Sequence, residues 1–316
     1  MKWRQLGTSG LQVSPLCFGG NVFGWTADEP TSFRLLDAFL GAGMNFVDTA
    51  DVYAKWAPGN QGGESETILG RWMKQRGNRE KVIIATKVGS DMGAQGKGLS
   101  RTHIMSGVDD SLRRLQTHYI DLYQSHIDDA ETAFEETLGA YADLIAQGKV
   151  RAIGASNYTA ERLAQALQVS KQHAYPRYES LQPLYNLYDR TGYEGALEPL
   201  CRTEGVGVIS YSSLGSGFLS GKYRTDGDVS KSARGQGVKR KYYNERGFQI
   251  LRTLDEVAQE HRSTPTAVAL AWLLARPGLT APIVSATSVE QLNELMAAPR
   301  LELDAGSIEQ LNKASA

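Results

Sequence analysis

With 316 residues the chain can bury a large core, and 34 Lys plus Arg against 35 Asp plus Glu leave it about neutral. Near-neutrality argues against a dedicated nucleic-acid binder, whose footprint is a basic excess. Cys17 and Cys201 stand far apart with no CxxC, which points to a reduced, cytoplasmic protein with neither a disulfide framework nor a metal centre. The opening MKWRQLGTSGLQV lacks an apolar signal stretch, and no apolar run nears the ~20 residues that span a bilayer, so neither secretion nor a membrane span is expected.

The chain begins with a hairpin pattern turning at Gly7 to Gly10. Short runs rich in Val, Ile and Tyr then read as strands at 15–18, 45–48, 82–86, 119–123, 150–154, 178–182, 206–211 and 281–284. Helical patterns separate them at 31–42, 65–75, 101–115, 131–147, 159–172 and 193–204. Strict alternation implies parallel strands with right-handed crossovers, and eight units fit a (β/α)8 TIM barrel; an open doubly wound sheet is the alternative. No linker interrupts the pattern, so residues 1–316 are expected to form a single domain. Segments 54–63 and 213–246 read as long loops at the C-terminal face, the second rich in Gly, Ser, Lys and Arg.

Asp48, Lys87 and His126 each close an apolar β-rich run, in MNFVDTADVY, KVIIATK and IDLYQSH, and Tyr53 follows the first of them closely. Parallel strands of one barrel would bring all four out at the C-terminal end, where barrel active sites lie. An acid, a phenol, an amine and an imidazole together suit proton transfer. An ammonium beside a phenol lowers its pKa, and a carboxylate holds that ammonium in place. Singly, each residue has an ordinary structural reading as packing, a rim aromatic or an ion pair.

The segments GMNFVDTADVY…GGESETILG, IIATKVG, SLRRLQTHYIDLYQSH, GKVRAIGASN and YSSLGSGFLSGKY, taken in order, resemble the aldo-keto reductase superfamily over nearly the whole chain. The resemblance implies an eight-stranded barrel that binds a nicotinamide cofactor, usually NADPH, and reduces aldehydes or ketones to alcohols. It places the family's catalytic Asp, Tyr, Lys and His on Asp48, Tyr53, Lys87 and His126, which makes Tyr53 the acid, Lys87 its modulator, Asp48 the group orienting Lys87, and His126 a group that would orient the carbonyl oxygen or help relay the proton. It also implies that Tyr211 stacks on the nicotinamide while Ser156, Asn157 and Gln182 contact the carboxamide. Ser212, Leu214, Ser216 and Lys222 match pyrophosphate contacts, and Ser285, Thr287, Gln291 and Glu294 the adenosine end. The basic run of Arg234, Lys239, Arg240 and Lys241 would either close over the cofactor or form a solvated loop.

Gly215, Gly217 and Gly221 do not form a Rossmann fingerprint, because the spacing is one residue too long and Val238, Lys239 and Arg240 occupy the region of the ribose acid. The usual Arg for a 2′-phosphate is replaced at Thr287 or Ser288, so NADPH is expected with NADH left open. Trp25, Trp56 and Tyr185, with Phe23 and Tyr188, suggest an apolar substrate wall for a small aldehyde or ketone. Charged outer helix faces favour a monomer. Two other readings are a cofactor-binding regulatory subunit of the same fold with little turnover, and a barrel lyase or isomerase with a Schiff base on Lys87.

Overall fold

The computed structural model describes residues 2–316. Its first two strands, β1 (Arg4–Gln5) and β2 (Gln12–Val13), pair antiparallel as the predicted hairpin. Eight strands follow: β3 (Cys17–Gly19), β4 (Phe46–Asp48), β5 (Ile83–Val88), β6 (Ile120–Ser125), β7 (Val150–Ser156), β8 (Tyr178–Gln182), β9 (Gly207–Ser210) and β10 (Leu279–Val284). Each pairs parallel with its successor and β10 closes onto β3, giving the (β/α)8 barrel. The two runs with the faintest patterns, at 15–18 and 178–182, are both genuine staves.

Side-chain alternation decides what the barrel holds. Cys17, Phe46, Ala85, Leu122, Ala152, Ile209 and Ala281 face inward as an apolar layer, and Leu6 and Val13 of the hairpin pack beneath them. Two residues further along three of those strands, the same parity points Asp48, Lys87 and Gln124 inward. Residues of the opposite parity, Val47, Ile84 and Tyr123, face the helices in the larger outer core. A period of two therefore puts apolar residues in the lower layer of the barrel and ionisable ones in the upper.

Helices α1 (Glu29–Gly41), α2 (Glu64–Arg76), α3 (Arg101–Leu115), α4 (Phe134–Ala146) and α5 (Ala160–His173) follow the first five staves. Several carry their own start signals. Asp28, Ser100 and Thr159 accept from the backbone N–H three residues on, and Pro30 sits in the first turn of α1. After β8 come α6 (Thr191–Glu194) and α7 (Leu197–Glu204). The long stretch 213–246 is not one irregular loop. It contains two 3₁₀ segments and helix α8 (Gly235–Tyr242), whose Val238 and Tyr242 are buried four residues apart. Helices α9 (Glu245–Glu260), α10 (Pro265–Leu274), α11 (Val289–Leu295) and α12 (Ala305–Ala314) complete the chain. Among the described residues, no helix is long and apolar enough to cross a membrane, and no group of three His, Cys, Asp or Glu side chains is placed to hold a metal ion.

Candidate active site

Asp48, Lys87 and Tyr53 meet at the top of the barrel. Lys87 Nζ lies 2.8 Å from each carboxylate oxygen of Asp48 and donates to the Tyr53 hydroxyl at 2.8 Å. It also donates to the Thr49 carbonyl at 2.8 Å. The amine is thus surrounded by the Asp48 carboxylate, the Thr49 carbonyl and the Tyr53 hydroxyl. Tyr53 Oη in turn donates to Asp48 Oδ2 at 2.9 Å, and Gln182 Nε2 donates to Asp48 Oδ1 at 2.8 Å. The ammonium and the carboxylate are both fully buried. Such a pair holds only because every partner is hydrogen-bonded.

The expected lowering of the Tyr53 pKa is reversed in this structure. Burial pushes it well above the ordinary phenol range, and the Asp48 carboxylate, through its charge and its hydrogen bond, pushes it further. The ammonium is shared with Asp48, so its pull on the phenol is offset. Tyr53 therefore keeps its proton throughout the working pH range, as a proton donor must. His126 follows β6, where its N–H donates to Val88 O at 2.8 Å. Burial, then the charge of Lys87, lowers its pKa to about 3, so the ring is neutral near pH 7. Its Nδ1 is buried without a partner. A neutral imidazole orients an oxygen; it has no imidazolium proton to give.

Tyr53 and His126 open into a cleft of about 630 Å³ across the C-terminal face. The cleft gathers Ser156, Asn157, Gln182, Tyr211, Ser212, Leu214, Ser216, Lys222, Ser285, Thr287 and Gln291, together with Trp25 and Trp56. The Tyr211 hydroxyl donates to Asn157 Oδ1 at 2.9 Å, Asn157 Nδ2 donates to the His126 carbonyl at 2.9 Å, and Ser156 Oγ donates to Gln182 O at 2.9 Å. The wall is thus braced through its own hydrogen bonds. Trp56, 48 % exposed, packs edge-on against Trp25 at 5.8 Å and Tyr53 at 5.9 Å.

Some predicted wall residues lie elsewhere. Tyr185 is fully buried, packs on Tyr193 and Trp272, and donates to Glu194 at 2.7 Å. Phe23 is buried against Phe18, and Tyr188 packs edge-on to Tyr242. Aromatics just beyond a strand turn inward where a neighbouring helix offers apolar area, here α6 and α10 for Tyr185. Glu294, near the end of α11, does not line the cleft. Lys239 and Lys241 pair with Asp226 and Asp189, away from the cleft.

The backbone is unusual around this cleft. Ala54, Asn157, Ser212 and Ser216 all have left-handed φ, between 52° and 72°, although none is glycine. Such strain gathers where a fold holds a ligand site. Gly217 holds a φ of +89°, a left-handed conformation that favours glycine, with the end of the Lys222 side chain beside it. Two residues were not legible in the sequence as partners. Arg234 is over the Trp25 ring at 5.2 Å, and the Asn21 amide satisfies its neighbours when its oxygen faces Arg234, whose Nη2 then donates to it at 2.7 Å. The Asn21 nitrogen donates in that orientation to Ser285 Oγ at 2.7 Å, which links three distant segments across the cleft. Burial lowers the pKa of Arg234. Among the described residues neither Arg234 nor Lys222 has a carboxylate partner, whereas Lys231 pairs with Asp228. Two cations without counterions, a glycine-rich turn and a wall of hydroxyls and aromatics fit an anionic dinucleotide.

Comparison with known proteins adds the following. A model described as the Aldo/keto reductase family matches residues 15–316. The chain is 36 % identical to the uncharacterized oxidoreductase YrpG of Bacillus subtilis (strain 168), over 99 % of this chain and 95 % of that one. It is 31 % identical to norsolorinic acid reductase B of Dothistroma septosporum, over 99 % of this chain and 81 % of the relative. It is also 34 % identical to a probable voltage-gated potassium channel subunit beta of rice, over 94 % and 91 %.

Proposed function

The chain belongs to the aldo/keto reductase family, and from that premise we propose that it reduces an aldehyde or ketone to the alcohol, with Tyr53 as proton donor. The carrying observation is the closed network of Tyr53, Lys87 and Asp48 at the floor of a cleft that fits a dinucleotide. Bound reduced nicotinamide would supply the hydride. Tyr211, Ser156, Asn157 and Gln182 would hold the ring end, with Ser212, Leu214, Ser216, Lys222 and Arg234 at the phosphates and Ser285, Thr287 and Gln291 at the adenosine.

The protein's own groups handle the oxygen. His126, neutral and partly desolvated, orients the carbonyl oxygen. As negative charge builds there, the Tyr53 hydroxyl turns from Asp48 toward it and delivers the proton. Lys87, already 2.8 Å from the phenol oxygen, stabilises the phenolate that remains. Asp48 and Thr49 fix that ammonium before the reaction starts, so the ammonium itself need not move at the barrier.

NADPH is our choice of cofactor. Thr287, through its N–H and its hydroxyl, donates to Gln291 Oε1 at 3.0 and 3.1 Å at the adenosine end. An Arg introduced at Thr287 is expected to tighten NADPH relative to NADH by about 5- to 10-fold, the worth of one exposed charge-assisted contact. An unchanged ratio of the two dissociation constants would place the 2′-phosphate elsewhere. The rim of Trp25 and Trp56 favours a substrate with an apolar or aromatic body. We further read the protein as a cytoplasmic, single-domain monomer that acts on a small molecule and not on nucleic acid or membrane.

The similarity to a channel beta subunit supports a second reading, a cofactor-binding regulatory subunit with little turnover. A panel of aldehydes and ketones, with NADPH oxidation followed in each case, separates the two. Sustained turnover supports the reductase. Tight NADPH binding with negligible turnover across the panel supports the subunit.

A further inference from the structure

Behind the turn that carries Tyr53 lies a second ionisable cluster that the proposed reaction does not use. The turn is stitched to β5 by Thr49 N–H to Ala85 O at 2.8 Å and Asp51 N–H to Lys87 O at 3.3 Å. The side chain of Asp51 is 5 % exposed, and its Oδ1 is buried without a hydrogen-bond partner. It is not an ordinary surface acid of a loop.

Its surroundings offer Oδ1 no free cation. From α2, Glu66 is fully buried; it accepts from Arg114 of α3 at 2.6 Å and from Thr86 of β5 at 2.6 Å. That guanidinium also donates to Ser111 Oγ at 3.2 Å. Room for Arg114 exists because residue 63 is glycine, as a Cβ there would come within 2.4 Å of the arginine stem. The cluster thus holds two carboxyls and one guanidinium already committed to Glu66. The other charged or titratable groups facing Asp51 are Lys87 of β5, Tyr123 of β6 and Tyr141 of α4, while Asp110 lies beyond Arg114. Lys87 is bound to Asp48 and Tyr53, and the Tyr123 hydroxyl also lacks a partner. A second buried carboxylate here has no uncommitted cation.

Burial, then the charge of Glu66, raises the Asp51 pKa to about 7. We propose that Asp51 is a proton-linked positioning residue of the reduction: it is protonated in the active form, and its ionisation sets an extra negative charge behind Tyr53 and Lys87 that slows proton delivery. The inference rests on the reading of Tyr53 as proton donor. An ionised Asp51 draws on the Lys87 ammonium and makes the Tyr53 phenol a weaker acid. It also strains the turn, because the carboxylate must seek Arg114 or solvent.

The linkage has a definite sign. The folded pKa lies above the ~3.9 of an unfolded Asp, so the folded state holds the proton more tightly and loses stability as pH rises from ~4 to about 7. His126 is held neutral down to about 3, so it does not contribute a limb near neutrality.

The test compares the parent with Asp51→Asn, a near-isosteric change. Infrared difference spectra of the parent should show a protonated-carboxyl band at mildly acid pH that fades through neutral pH, and Asp51→Asn should lack it. With an aldehyde and saturating NADPH, parent kcat should step down by about tenfold across the transition to a lower plateau, the effect of about one pKa unit on Tyr53, while the variant profile stays flat there. A merely structural role would scale both profiles equally. Superimposable profiles, or no band assignable to Asp51, overturn the proposal. A band without carbonyl turnover at any pH shows a protonated Asp51 while sinking the Tyr53 reading, and with it the role in proton delivery.

Discussion

Tyr53→Phe is expected to cut carbonyl turnover by about 10²- to 10⁴-fold, the range for losing a positioned general acid. Cofactor affinity should stay within a few-fold, because the ring that lines the cleft is retained and only the hydroxyl is lost. The expectation follows from what surrounds the hydroxyl. It accepts from Lys87 and donates to Asp48, and its pKa is held well above the phenol norm, so it is fully protonated before the reaction. His126 is no substitute, since with a pKa of about 3 it carries no spare proton near neutral pH. Steady-state kcat and an equilibrium NADPH titration on the same preparation check both parts. Turnover within a few-fold of the parent would remove Tyr53 from the role of acid.

The second large effect concerns Lys87→Met. The ammonium and Asp48 are both completely buried, so removal of one partner leaves a carboxylate with only Gln182 and Tyr53 as donors. Loss of one partner of a buried pair costs about 3–5 kcal/mol of stability, and activity should fall together with it. The double variant Asp48→Asn with Lys87→Met separates the two effects. It removes the stranded charge, so most of the stability should return while activity does not. Chemical denaturation of parent, single and double variants measures this. If the double variant is as unstable as the single, the penalty arises from lost packing and not from an unpaired charge.

The barrel was legible because strand alternation and apolar runs are local signals. Asp48 closes β4, Lys87 lies one residue before the end of β5 and His126 one residue beyond β6, within a residue of where the apolar runs end in the sequence. What local pattern cannot carry is the partner. Arg234 lies in a segment that reads as a polar loop, and nothing in GQGVKRKY, with two glycines and two apolar anchors, announces α8. Its bond to Asn21 and stacking on Trp25 arise only when the chain's two ends meet at the barrel seam, where β10 joins β3. Tyr185 shows the converse: an aromatic after a strand looks like a pocket wall, but Glu194 and Trp272 draw it into the core. The sequence sets Lys87 near Tyr53 but shows neither the burial that raises the phenol's pKa nor the Asp48 charge that adds to it.

The central claim is hydride transfer to a carbonyl carbon with proton delivery by Tyr53. The most direct measurement follows the label from NADPH deuterated at the transferring position of the nicotinamide ring, with an aromatic aldehyde as acceptor. Mass spectrometry of the product alcohol should find one deuterium on the carbinol carbon with the parent protein, and Tyr53→Phe should yield little product. NADPH bound but not consumed, or an alcohol formed without the label, would contradict the account.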